Sequence, residues 1–88
     1  MSKISEKTFN KIAESVLGLL YDKFPLSMST VEIADELARD NEFIARVLKF
    51  LESKKYVERL EKSNSGVSYT KWMRWKLRKE IKARYDEA

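Results

Sequence analysis

The sequence predicts a mainly helical α+β domain with one small β-hairpin, in the order helix, strand, helix, helix, strand, strand, helix. Three observations predict it. The stretch IADELARDNEFIARVLKFLESKKYV, from Ile33 to Val57, holds two short amphipathic patterns back to back with almost nothing between them. An earlier helical pattern runs up to the only proline, Pro25. Beyond Val57 the apolar period changes from helical to two, around the turn residues SNSG.

Taken in order, SEKTFNKIAESVLGLLYDKF places Phe9, Ile12, Ala13, Val16 and Leu20 at helical spacing. The residue before a proline resists helical geometry, so this helix ends near Phe24. Leu17, Leu19 and Tyr21 widen the stripe beyond one face. Gly18 lies opposite it, where glycine costs about 1 kcal/mol relative to alanine; it is either tolerated there or admits a second backbone. LSM, residues 26–28, alternates as a short strand would. In STVEIADELA, Ser29 stands three residues before Glu32, the spacing of a capping box. Val31, Ile33, Ala34 and Leu37 then form the buried side of a short helix. Asp40 is a suitable cap for the next helix, whose core face is Ile44, Val47, Leu48 and Leu51. At about 100° per residue the opposite side carries Glu42, Arg46, Lys49 and Ser53, with Phe43 and Phe50 on a flank as core edge or dimer contacts. YVERLEK and VSYTKWMRWKL flank SNSG as a hairpin over residues 56–74. A helical spacing of Met73, Leu77, Ile81 and Tyr85 competes with the alternation there, and places the last helix at residues 75–88. Residues 1–4 read as a flexible tail, and the whole of 1–88 as one domain.

The 88 residues include no cysteine and no histidine. That removes disulfides, thiolate or imidazole metal sites and every histidine-based catalytic triad. The carboxylates are scattered along helix faces, so the expectation is a non-enzyme with no catalytic residues, no metal and no cofactor. No apolar run approaches the roughly 20 residues of a transmembrane helix. MSKISEKTF has no signal-peptide core, and the expected location is cytoplasmic and nucleoid-associated, away from membranes. Charge is uneven. Residues 1–40 carry five basic and seven acidic side chains, whereas residues 41–88 carry thirteen and seven, a net +6. A basic second half suits a polyanion, nucleic acid first; a plain solvated surface shows the same count.

The order of elements resembles a winged helix-turn-helix. The residues that carry the likeness are the Ile33–Ala34 pair, Leu37 before the turn, Asp40 as cap and LESKKYV closing the following helix, with YVERLEKSNSGVSYTKW as the wing. On this resemblance residues 29–54 are the helix-turn-helix and 56–74 the wing. The chain departs from the common pattern at Ala38, where many members have glycine, at Arg39 in the turn, and at Lys55, where glycine often ends the third helix. SGVSYTKWMRWK is also similar to the winged helix of the archaeal general transcription factor E alpha subunit.

What the resemblance implies is a sequence-specific double-stranded DNA-binding protein, a small transcriptional regulator without a ligand domain and with no small-molecule effector evident. The third helix enters the major groove and the wing meets the backbone or minor groove. The DNA contacts expected are then Thr30, Asn41, Arg46 and Lys49 from the helices and Arg59, Lys62, Asn64 and Ser65 from the wing. Residues 71–84 hold seven basic residues against Glu80, so Lys71, Arg74 and Arg78 form a possible second basic surface. The wide apolar stripes point to a homodimer through Leu17, Leu19, Tyr21, Trp75, Ile81 and Tyr85. A protein-interaction winged helix, as a subunit of a transcription or other assembly, and a sequence-blind chromatin protein are the alternatives. Glu42 and the flanking phenylalanines suit the first of these.

Overall fold

A computed structural model describes residues 5–60 and 73–87. Helix α1 spans Glu6–Lys23, capped by the Ser5 hydroxyl, which accepts from the Thr8 N–H at 3.1 Å. It ends at Phe24, directly before the proline. Strand β1 is Met28–Ser29, and Ser29 is at once its last residue and the cap of α2 (Thr30–Leu37). The capping box is complete. The Ser29 hydroxyl accepts from the Glu32 N–H at 3.1 Å, and the Glu32 carboxylate accepts from the Ser29 N–H at 3.0 Å. Helix α3 spans Asn41–Ser53, with the Asp40 carboxylate accepting from the Glu42 N–H at 3.2 Å.

Strands β2 (Val57–Leu60) and β3 (Arg74–Leu77) complete an antiparallel sheet in the order β1-β3-β2. Trp75 is paired with Met28 on one side and Arg59 on the other. Helix α4 is Lys79–Glu87. The last strand therefore runs to Leu77, and the helix starts at Lys79 rather than at residue 75. The reason is packing. Trp75 and Leu77 are both fully buried on the inner face of β3, and the Arg78 N–H still donates to the Tyr56 carbonyl at 3.1 Å. Residues four apart share a face in a strand and nearly do so in a helix, so Met73, Leu77, Ile81 and Tyr85 supported both readings.

The core lies between α1, the helix pair and the sheet. Val16 and Leu20 of α1, Ile33 of α2, Ile44, Val47 and Leu48 of α3, Trp75 and Leu77 are fully buried. Phe9 fixes the third helix further. Its ring meets Phe43 edge-on at 5.9 Å and Phe50 at 5.3 Å between centroids, a geometry worth about 0.5–1.5 kcal/mol per pair beyond burial. Phe43 is core and Phe50 its half-covered edge.

Two non-glycine residues adopt the left-handed conformation, Ala38 (φ 55°) and Lys55 (φ 65°). They are two of the positions at which the sequence departs from the winged-helix pattern, and they bracket α3. The left-handed region costs an L-residue about 1–2 kcal/mol, and glycine avoids that penalty while losing more chain entropy on folding. Ala38→Gly and Lys55→Gly are therefore each expected to stabilise the fold by about 0.5–1 kcal/mol, read as a raised denaturation midpoint. A lowered midpoint for both would contradict this account of the turns.

Candidate nucleic-acid interface

The outermost line of α3 is Glu42, Arg46, Lys49 and Ser53, all exposed. Asn41 is exposed beside them at the start of the helix. Arg46 lies with its guanidinium carbon 5.9 Å from the Phe43 ring centre, so its stem is braced on the aromatic cluster. Among the described residues neither Arg46 nor Lys49 has a carboxylate within ion-pair distance. Their charges face outward along the middle of α3. Arg39, in the turn itself, is exposed on the approach to that helix. Sequence reading noted it only as a departure from pattern, although a basic residue in the turn was already a signal.

The structure corrects one expected contact and shows another engaged within the chain. Thr30 is fully buried, and its hydroxyl accepts from the Trp75 indole N–H at 2.9 Å, so it holds the core together and faces no phosphate. Arg59 donates to Glu52 at 2.8 Å and lies 5.3 Å from the Trp75 ring centre. It ties β2 to the end of α3. Lys62, Asn64, Ser65 and Lys71 lie outside the described residues.

The second basic surface is engaged locally. Arg74 donates from Nε to the Ser27 hydroxyl at 2.8 Å and from Nη2 to the Ser27 carbonyl at 2.9 Å, with Glu32 at 3.7 Å. Arg78 stands 3.6 Å from Glu80. Lys79 and Arg84 are exposed.

Of the residues expected at a dimer interface, Leu17 and Trp75 are core. The stripe on α1 is wide because α1 packs against helices and sheet on more than one side. Leu19, Tyr21 and Ile81 are half-buried against that core, and Tyr85 is 43% exposed. Tyr21 meets Tyr85 edge-on at 5.4 Å and donates to Asp86 at 2.6 Å, while Lys82 donates to the same carboxylate at 2.7 Å. Hydrogen bonds from Lys82 and then Tyr21 hold the Asp86 carboxyl below its ordinary range. This fastening of α4 is thus complete above the usual carboxylate pKa and is lost as pH falls through the lowered one. Beside it is an open groove of about 820 Å³ with Gly18, Leu19, Leu37 and Tyr85 among its lining. Among the described residues no group of His, Cys, Asp or Glu is placed to hold a metal ion, and no helix is long and apolar enough to cross a membrane.

No protein-family model matches the chain, and no curated protein matches it in sequence. Solved structures do match in shape. An apo form of ZitR from Lactococcus lactis superposes with a TM-score of 0.68 at 17% identity, over 92% of this chain and 56% of that one. MepR, a transcription regulator of the Staphylococcus aureus multidrug efflux pump MepA, gives a TM-score of 0.60 at 22% identity, over 86% of this chain and 57% of that one. A MepR variant bound to an oligodeoxyribonucleotide gives 0.63 at 22% identity, with the same 86% and 57% covered. The fold is therefore a winged helix-turn-helix, and this chain spans a little over half the length of those structures.

The burial of Thr30 has a measurable consequence. Thr30→Val keeps the volume but leaves the Trp75 indole N–H without that acceptor, a loss of about 1–3 kcal/mol. Chemical denaturation is expected to show it as a lowered midpoint. A variant of parental stability would remove this hydrogen bond from the account of the core.

Proposed function

We propose that this chain is a double-stranded DNA-binding module of a transcription regulator, with α3 in the major groove and the wing against the flanking backbone. The observation that carries the reading is the outward line of α3. Arg46 and Lys49 are exposed and unmatched by carboxylates among the described residues, at the position from which this fold presents its reading helix. Asn41 offers an amide for adenine or a phosphate, and Arg46 a fork for guanine O6 and N7. Arg39, Lys49 and the wing residues Lys62, Asn64 and Ser65 serve the backbone. A transcription regulator among the structural neighbours, and another form of it bound to an oligodeoxyribonucleotide, support this reading. No catalytic role and no cofactor belong to it.

A salt titration tests it. With about four phosphates neutralised per chain, log K is expected to fall against log salt with a slope of about −3.6. Arg46→Ala and Lys49→Ala are expected to melt like the parent and to bind more weakly. A base contact costs about 1–3 kcal/mol and relaxes preference at one position, whereas a phosphate contact weakens all sequences alike. Two variants that bind like the parent would remove α3 as the reader, and absence of binding at about 50 mM salt would favour the protein-interaction alternative.

The homodimer belongs to the same proposal, now through Gly18, Leu19, Tyr21, Ile81 and Tyr85. A side chain added at Gly18 meets nothing within 4 Å, so a second backbone has room to approach. A two-fold pair would set two α3 helices about 34 Å apart on a pseudo-palindromic site. Sedimentation equilibrium at micromolar concentration is expected to give twice the 10.4 kDa chain mass. Leu19→Glu is expected to return it to the monomer. A 10.4 kDa species that DNA does not change would rule the dimer out.

A further inference from the structure

Glu42 stands in the outermost line of a helix read as DNA-binding, where a carboxylate repels the phosphates that Arg46 and Lys49 attract. The simplest way to silence it is an ion pair to Arg46, four residues on, the favourable Glu-before-cation spacing. That pair is not formed. Arg46 lies against the Phe43 ring, and Glu42 has no cation within ion-pair distance among the described residues. Its backbone N–H is held by Asp40, so the start of the helix is capped and the Glu42 carboxylate is left over. Directly behind this line, on the other side of the helix, are the buried Ile44, Val47, Leu48 and Leu51. Glu42 and Arg46, at the start of this line, therefore point along the helix's docking direction, toward base edges, while Lys49 and the flanks meet the phosphates.

We propose that Glu42 is a specificity-determining residue that accepts a hydrogen bond from the exocyclic amine of a cytosine in the major groove. The inference rests on the reading of α3 as the DNA-reading helix. The chemistry selects the base. A carboxylate has only acceptors, so guanine O6 and N7 and thymine O4 repel it. Adenine offers an amine, but with the N7 acceptor beside it. Cytosine offers the N4 amine with no acceptor adjacent on its own major-groove edge. Four residues of helix rise about 6 Å, close to two base-pair steps. The cytosine read by Glu42 thus falls within about two base pairs of the guanine read by Arg46. Binding to other sequences is suppressed by the same carboxylate, which acts against the wrong partner as well as for the right one.

The test is selection from a random-sequence duplex library with the full chain, its Glu42→Gln and Glu42→Ala variants, and the Arg46→Ala variant, all at one salt concentration. The parent is expected to fix a cytosine close to an Arg46-dependent guanine. In both Glu42 variants that cytosine preference is expected to fall about tenfold, with adenine gaining under Glu42→Gln, while affinity for random duplex rises as a repelling charge is lost. Glu42 is exposed, so the variants are expected to keep the parental circular-dichroism melt. If the Glu42 variants select the parental motif unchanged and merely bind all duplexes more tightly, Glu42 is a repelling charge and this inference fails alone. If the parent binds no duplex, the DNA reading fails and this inference falls with it.

Discussion

The hydrogen bond from the Trp75 indole to the Thr30 hydroxyl, 45 residues away in sequence, joins the parts on which everything else is hung. Trp75 is the inner residue of the central strand, paired on both sides, and Thr30 is the first residue of α2. Burying an indole removes about 150–250 Å² from water, worth about 4–6 kcal/mol at 25 cal/mol per Å². It is favourable only if the N–H finds an acceptor, since an unmet one costs about 1–3 kcal/mol. Thr30 supplies that acceptor. Ser29 beside it is shared between the sheet, through its pairing with Arg74, and the capping box. The sheet therefore fixes where α2 starts, α2 fixes the turn, and the turn fixes α3. The strand that leads out of the wing is the one that holds the helix pair.

Electrostatics divides the basic half of the chain into two populations. Arg59, Arg74, Arg78 and Lys82 each have a nearby carboxylate, and they join β2 to α3, β3 to the start of α2, and α4 to itself. Exposed pairs of this kind contribute at most about 1 kcal/mol each, yet each lowers the positive charge available to a polyanion. Arg46 and Lys49 belong to the other population, braced by packing or held on a rigid helix with no such partner. A net +6 over residues 41–88 is thus a poor guide to the candidate interface. Where the unmatched charges lie is the better one.

The local features of the sequence were legible because their causes are local. The Ser29–Glu32 box, the Asp40 cap, the end of α1 before Pro25 and the core face of α3 depend on residues within four positions of one another. Ala38 and Lys55 stood out as departures from a pattern that prefers glycine, and both are left-handed. Thr30 was misread because its partner is far away in the chain, and an N-terminal hydroxyl suits a phosphate and an indole equally well. The ion pair of Arg59 was not legible because a cation in a wing gives no sign of Glu52, seven residues earlier. The apolar stripe of α1 was too wide for one helix face, but three packing neighbours in one chain take up most of it. Trp75 could not be placed while the strand-to-helix boundary stayed open, since four-residue spacing fits both periods.

The two left-handed joints show why α3 is aimed as it is. At Ala38 the N–H donates to the Asp35 carbonyl and the Arg39 N–H to the Ala34 carbonyl, closing α2 in one residue. At Lys55 the next N–H, that of Tyr56, donates to the Leu51 carbonyl at 3.0 Å, turning the chain directly into β2. Both joints are short because the residues on either side are already committed. Leu37 packs against the core, Ile44 and Leu51 belong to it, and Val57 opens a strand opposite Leu77. A longer connection would satisfy the backbone with less strain, but it would let α3 rotate about its axis. Rotation by one residue, about 100°, would carry Arg46 and Lys49 off the outward line and draw the buried leucines into water. The strain at the two joints and the burial of the core face act together. Burial sets which side of α3 is inward, and the tight joints leave it no slack to turn.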